Sequence, residues 1–132
     1  MILPKLNVAL ARKVKRHILA EPKRLNMSFW MGDVIGNIGV PPCGTQACIA
    51  GWACLLSVPK NKRREIITKE KKYHFNPSTV GQKKLGLTKN EADILFGEFN
   101  EATGKKGAKE ASRKIDALVA ARKKGEEFLG LS

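Results

Sequence analysis

Residues 48–56, Cys-Ile-Ala-Gly-Trp-Ala-Cys-Leu-Leu, constrain the fold more than any other part of this chain. On a helix, Cys48, Trp52 and Leu55 share one face, Ile49, Ala53 and Leu56 share a second, and Ala50 and Cys54 fill the rest. A helix that is apolar all round belongs inside a protein. Pro41 and Pro42 forbid regular helix before it, Thr45 is a suitable N-cap, and Pro59 stops it. The spacing predicts a buried helix over about 46–57. At about twelve residues it is too short for a bilayer, which needs ~20. Gly51 in mid-helix costs about 1 kcal/mol relative to alanine, which points to a close neighbour or room for a ligand.

The rest of the chain supplies helices to cover this one. Asn7 caps a first helix to about Ala20, with Leu10, Val14 and Ile18 as its apolar stripe. His17 near its C-terminal end reads as a surface or capping histidine. Residues 23–40 read as irregular, with Trp30 docking into the core, and residues 60–73 as a short basic amphipathic helix. Asn76-Pro77 opens the next helix and Gly86 ends it. Thr88-Lys89-Asn90-Glu91 is a capping box for the helix that follows. Residues 100–107 read as a loop, and Ala108 to Lys124 as a last helix with Ala111, Ile115, Leu118 and Val119 on one face. Gly125 breaks it, and Phe128 packs in a short turn within a frayed stretch, 125–132. No segment alternates as a strand would. The expected fold is all-α: one domain over 1–132, a compact bundle of five or six helices around the buried helix.

Charge narrows the function. Lys and Arg total 25 against 12 Asp and Glu, a formal net charge of +13. Such a chain attracts polyanions, nucleic acid first among them. The densest segment is Lys60, Lys62, Arg63, Arg64, Lys69, Lys71 and Lys72, with Tyr73 and Phe75 available for stacking. Arg12, Lys13, Lys15 and Arg16 on the first helix extend the surface. Three clustered cysteines, with no apolar leader, predict reduced thiols, a cytoplasmic location and no membrane span.

Several motifs join into one pattern: Leu25-x-Met27-x-x-Trp30, then Pro42-Cys43-Gly44-Thr45-x-x-Cys48-Ile49-Ala50-Gly51-Trp52-Ala53, then Leu85-Gly86-Leu87-Thr88-x-x-Glu91-Ala92-x-x-Leu95-Phe96. This pattern resembles a group of small bacterial and phage proteins without an assigned activity. The resemblance covers most of the chain and implies no activity; service to a phage or mobile element as an accessory factor is a separate expectation.

Three constellations invite chemistry. The block from Pro42 to Ala50 resembles the nucleophile helix of bacteriocin-processing cysteine peptidases. A cysteine hydrolase would use Cys43, or Cys48, beside a helix N-terminus, with His74 as base and Asn76 or Asp93 to orient it. Pro42 stands where that family has an acid. Cys43, Cys48, Cys54 and His74 would make four zinc ligands, but the cysteine spacings are not those of paired ligands. Cys48 and Cys54 point about 120° apart on one helix. Residues 80–96 resemble a helix-turn-helix, with Gln82 at the position normally alanine. Its second helix carries Glu91, Asp93 and Glu98 against Lys89, the wrong sign for phosphate. The expectation is therefore a non-enzymatic binding protein without metal or cofactor, with nucleic acid or another polyanion as partner. A host protein as partner, and the Cys43–His74 hydrolase, are the alternatives.

Overall fold

The computed structural model describes residues 3–25, 31–33, 45–62, 65, 77–97 and 104–131. Among them are five α-helices: α1 (Val8–Ala20), α2 (Ile49–Leu56), α3 (Pro77–Leu85), α4 (Lys89–Gly97) and α5 (Gly104–Lys123). Single 3₁₀ turns occupy Pro22–Arg24 and Lys60–Lys62. The class is all-α. The expected absence of strands needs one correction, because β1 (Met31–Asp33) and β2 (Thr45–Ala47) form a short antiparallel ribbon, with Met31 opposite Ala47 and Asp33 opposite Thr45.

That ribbon changes the start of the apolar helix. Thr45 lies in β2, three residues before the helix cap, and α2 begins at Ile49. Cys48 is the N-cap, its Sγ accepting the Gly51 N–H at 3.4 Å. All eight residues of α2 are buried, as a helix apolar on every side requires. It packs against α1, α3 and α4. The α2–α3 contact is tight at Gly81, where a Cβ would lie 3.0 Å from the Ala50 carbonyl oxygen. The indole of Trp52 is buried and its Nε1 donates to the Arg24 carbonyl at 2.9 Å. This satisfies the one polar atom of that side chain. His17 is half-buried: its ring meets Trp52 edge-on, centroids 4.2 Å apart, with Arg24 Nη1 3.3 Å from its Nδ1.

Helix ends follow the expected chemistry. Asn7 Oδ1 caps α1 through the Leu10 N–H at 3.0 Å. At the end of α3, Leu87 N–H donates to Gln82 O and Gly86 N–H to Lys83 O, a Schellman ending. Gly86 has φ +77°, and a Cβ there would fall 1.9 Å from the Lys5 carbonyl oxygen, so both its conformation and its neighbour demand glycine. α5 starts a turn earlier than the Ala108 expected. Its first turn spans Gly104–Gly107, and Gly107 is buried, so packing outweighs the low helix propensity of glycine. α1 lies antiparallel along α5: Pro4 meets Arg122 near one end, and Lys15 meets Asp116 farther along. Phe128, after α5, is buried in the core as expected. Trp30 and the segments 34–44, 66–76 and 98–103 lie outside the described residues.

Candidate nucleic-acid interface

The four cations of α1 divide by their angle around the helix. Leu10, Ala11, Val14 and Ile18 bury one side. Lys15 sits at the α5 edge of that side, where its Nζ pairs with Asp116 at 2.7 Å. Lys13 sits at the opposite edge and donates to the Leu56 carbonyl at 3.3 Å, closing the C-terminal end of α2. Arg12 and Arg16 occupy the middle of the outward side, one turn apart and both exposed. Neither side chain has an ion-pair or hydrogen-bond partner among the described residues. α1 contains no acidic residue, so nothing on this helix offsets them.

Lys13 continues the surface toward α3. With Asn7, Leu56, Ser57 and Lys84 it lines an open cleft of about 370 Å³. Asn7 also donates to the Lys84 carbonyl at 3.4 Å. Lys83 and Lys84 are exposed at the end of α3. In the other basic segment, Lys60 begins a 3₁₀ turn and Lys62 is exposed. Arg63, Arg64, Lys69, Lys71 and Lys72 lie outside the described residues.

The α3–α4 hairpin has the expected core, with Leu85, Leu87, Ala92 and Leu95 buried. One expectation about its charge fails. Glu91 does not face outward; it is fully buried and makes an ion pair with Arg122, whose side chain is 6% exposed. Arg122 Nε donates to Glu91 Oε2 at 2.8 Å, and Nη2 donates to Oε1 and to the Gly86 carbonyl. Nη1 reaches the Pro4 carbonyl. Glu91 also closes the expected capping box, accepting the Thr88 N–H at 2.9 Å while Thr88 Oγ1 accepts the Glu91 N–H at 3.1 Å. A fourth donor is the Phe128 N–H, 2.9 Å from Oε2. Burial acting alone would raise the pKa of this carboxyl. The hydrogen bonds from Arg122, Phe128 and Thr88, with the guanidinium charge, outweigh burial and lower it. The exposed residues of α4 are then Lys89, Asn90, Asp93 and Gly97, a short and mixed surface.

The cysteines that can be placed are packing residues. Cys48 and Cys54 are both 2% exposed. Burial pushes the Cys54 thiol up to about 12, with Cys48 adding to the shift and Lys84 opposing it. Cys48 belongs to a helix cap, and only its sulfur takes the role that Thr45 suggested. The other members of the hydrolase arrangement, Cys43, His74 and Asn76, lie outside the described residues, and Asp93 is exposed on α4. Among the described residues, no group of three or more His, Cys, Asp or Glu is placed to hold a metal ion. No helix among them is long and apolar enough to cross a membrane.

The sequence reading missed one basic surface. Lys105, Lys106, Lys109 and Arg113 are all exposed on α5. They are dispersed among Gly, Ala and Glu, and only the helical period aligns them. Comparisons with protein-family models, with curated proteins and with solved structures found no match to this chain.

Proposed function

We propose that the protein is a small, non-enzymatic nucleic-acid-binding factor that contacts phosphate through Arg12 and Arg16 of α1. The flanking lysines, together with Lys60 to Lys72, would extend the contact. The observation that carries this reading is the exposed Arg12–Arg16 pair on a helix without an acid. Like charges one turn apart destabilise a helix by about 0.2–0.5 kcal/mol, so the pair is unfavourable until a polyanion approaches. The +13 net charge supplies the long-range attraction. On this reading the chain is a single helical domain assembled around α2. It works in the cytoplasm, as an accessory factor of a phage or mobile element.

Binding of this kind weakens as salt rises, because phosphate neutralisation releases counterions. Titration of a fluorescent DNA duplex and a single-stranded RNA, between about 50 and 200 mM salt, gives the slope of log K against log salt. The Arg12→Gln/Arg16→Gln variant is expected to bind more weakly and to lower the duplex slope by about 1.8, two contacts at ~0.9 each. No binding of either probe at the lowest salt would overturn the proposal.

A further inference from the structure

The first half of α5 points to a second row of phosphate contacts. Between residues 104 and 115 every exposed residue is a cation: Lys105, Lys106, Lys109 and Arg113. None of the four side chains has an ion-pair or hydrogen-bond partner among the described residues. The acid in that half, Glu110, is turned inward, where it pairs with the equally buried Lys114 at 3.6 Å. The first turn of α5 carries two lysines and no acid. Cations there stand against the helix dipole, which favours negative charge at that end. The fold thus gathers positive charge on one side of α5 and withdraws the neighbouring carboxylate from it.

This row is not isolated from the α1 arginines. α1 and α5 pack antiparallel, an arrangement that sets helix axes about 8–10 Å apart. One turn beyond Arg113 lies Asp116, the exposed acid of α5, already paired with Lys15 of α1. The Lys15–Asp116 pair therefore ties the helix that carries Arg12 and Arg16 to the exposed side of α5 that carries the cations.

The chemistry of the row selects its partner. Protein interfaces are depleted in lysine and anchored by aromatic residues. An interfacial membrane helix pairs its basic side with a lipid-inserted apolar side. The exposed α5 row contains no aromatic or large aliphatic residue, and the apolar side of α5 is already buried against the core. Phosphates along a nucleic-acid backbone need only spaced point charges. We infer that Lys105, Lys106, Lys109 and Arg113 contact the nucleic-acid backbone as a second row alongside Arg12 and Arg16. This rests on the nucleic-acid-binding reading above.

The test compares salt slopes on the DNA duplex for the full-length protein and three double variants. Lys109→Gln/Arg113→Gln is expected to lower the slope by about 1.8, and to add to the effect of Arg12→Gln/Arg16→Gln when combined. Lys123→Gln/Lys124→Gln, at the far end of α5, removes the same charge and is expected to change the slope by less than about 0.5. Circular dichroism confirms that each variant is folded. If wild type binds and the Lys109/Arg113 variant keeps the full slope, or loses no more than the Lys123/Lys124 control, the α5 row is not a contact surface and the α1 reading survives. If wild type shows no salt-dependent binding, both readings fall.

Discussion

Replacing Arg122 with alanine would leave the fully buried Glu91 carboxylate without its guanidinium. Exposed ion pairs contribute about 0–1 kcal/mol, but removing one partner of a buried pair costs about 3–5 kcal/mol, because the remaining charge stays desolvated. Two features place this case within that range. The Thr88 and Phe128 N–H groups still reach Glu91 in the variant, which moderates the loss. The carbonyls of Pro4 and Gly86 each lose a donor, which adds to it. A total of about 3–4 kcal/mol results, a fall in Tm of about 12–16 °C at roughly 4 °C per kcal/mol for a domain of this size. Glu91→Gln/Arg122→Ala removes both charges and is expected to be less destabilised than the two single variants summed, by more than about 1 kcal/mol. The pH dependence is a second check. The folded pKa of Glu91 lies below its ordinary 4.5, so its stabilisation is complete above that value and is lost as pH falls through the folded pKa. In Arg122→Ala the main opposition to burial is gone, so the gap between wild type and variant is expected to narrow below about pH 4. Urea melts between pH 3 and 7 measure all of this. A loss under about 1 kcal/mol at pH 7, or a gap independent of pH, would refute the view of Glu91–Arg122 as a buried pair.

Other substitutions probe the frame around it. Gly86→Ala combines a positive φ with a 1.9 Å approach to the Lys5 carbonyl oxygen, and should cost more than about 2 kcal/mol in urea melts. Cys48→Ser keeps an acceptor for the Gly51 N–H and should remain within about 1 kcal/mol of wild type, whereas Cys48→Val, which lacks one, should lose about 1 kcal/mol more. With its thiol pushed up to about 12 and 2% exposed, Cys54 should resist iodoacetamide at pH 8 in native Cys43→Ser protein and react once urea unfolds it; mass spectrometry of labelled peptides reads the result.

Local chemistry was legible in the sequence; partners distant along the chain were not. Asn7, Gly86 and the Thr88–Glu91 box act over three or four residues, and each does what its residue type suggested. The same box hid its larger role, because Arg122 lies 31 residues from Glu91 and Phe128 lies 37 away. Thr45 looked like a cap by composition, but antiparallel pairing with Asp33 drew it into a strand and left a cysteine sulfur at the helix start. The α1 cations were visible as a run. Which of them face solvent depended on Leu56 and Asp116, contributed by other helices. The α5 row was invisible for the opposite reason, since its cations stand apart among Gly, Ala and Glu, and only packing turns Glu110 inward.

The cluster at Arg122 also sets a timetable. It ties Pro4 to Arg122 across 118 positions, and Glu91 to Phe128 across 37. During synthesis α1 emerges early and must wait for α5 and residue 128 before its leading segment is fastened. Separations this long slow a helical domain toward the pace of non-local folds. The nascent chain holds its most apolar helix, α2, complete by residue 56, for most of that wait. Its exposure then is a window for chaperone capture that narrows as α3 and α4, the helices packed against it, follow.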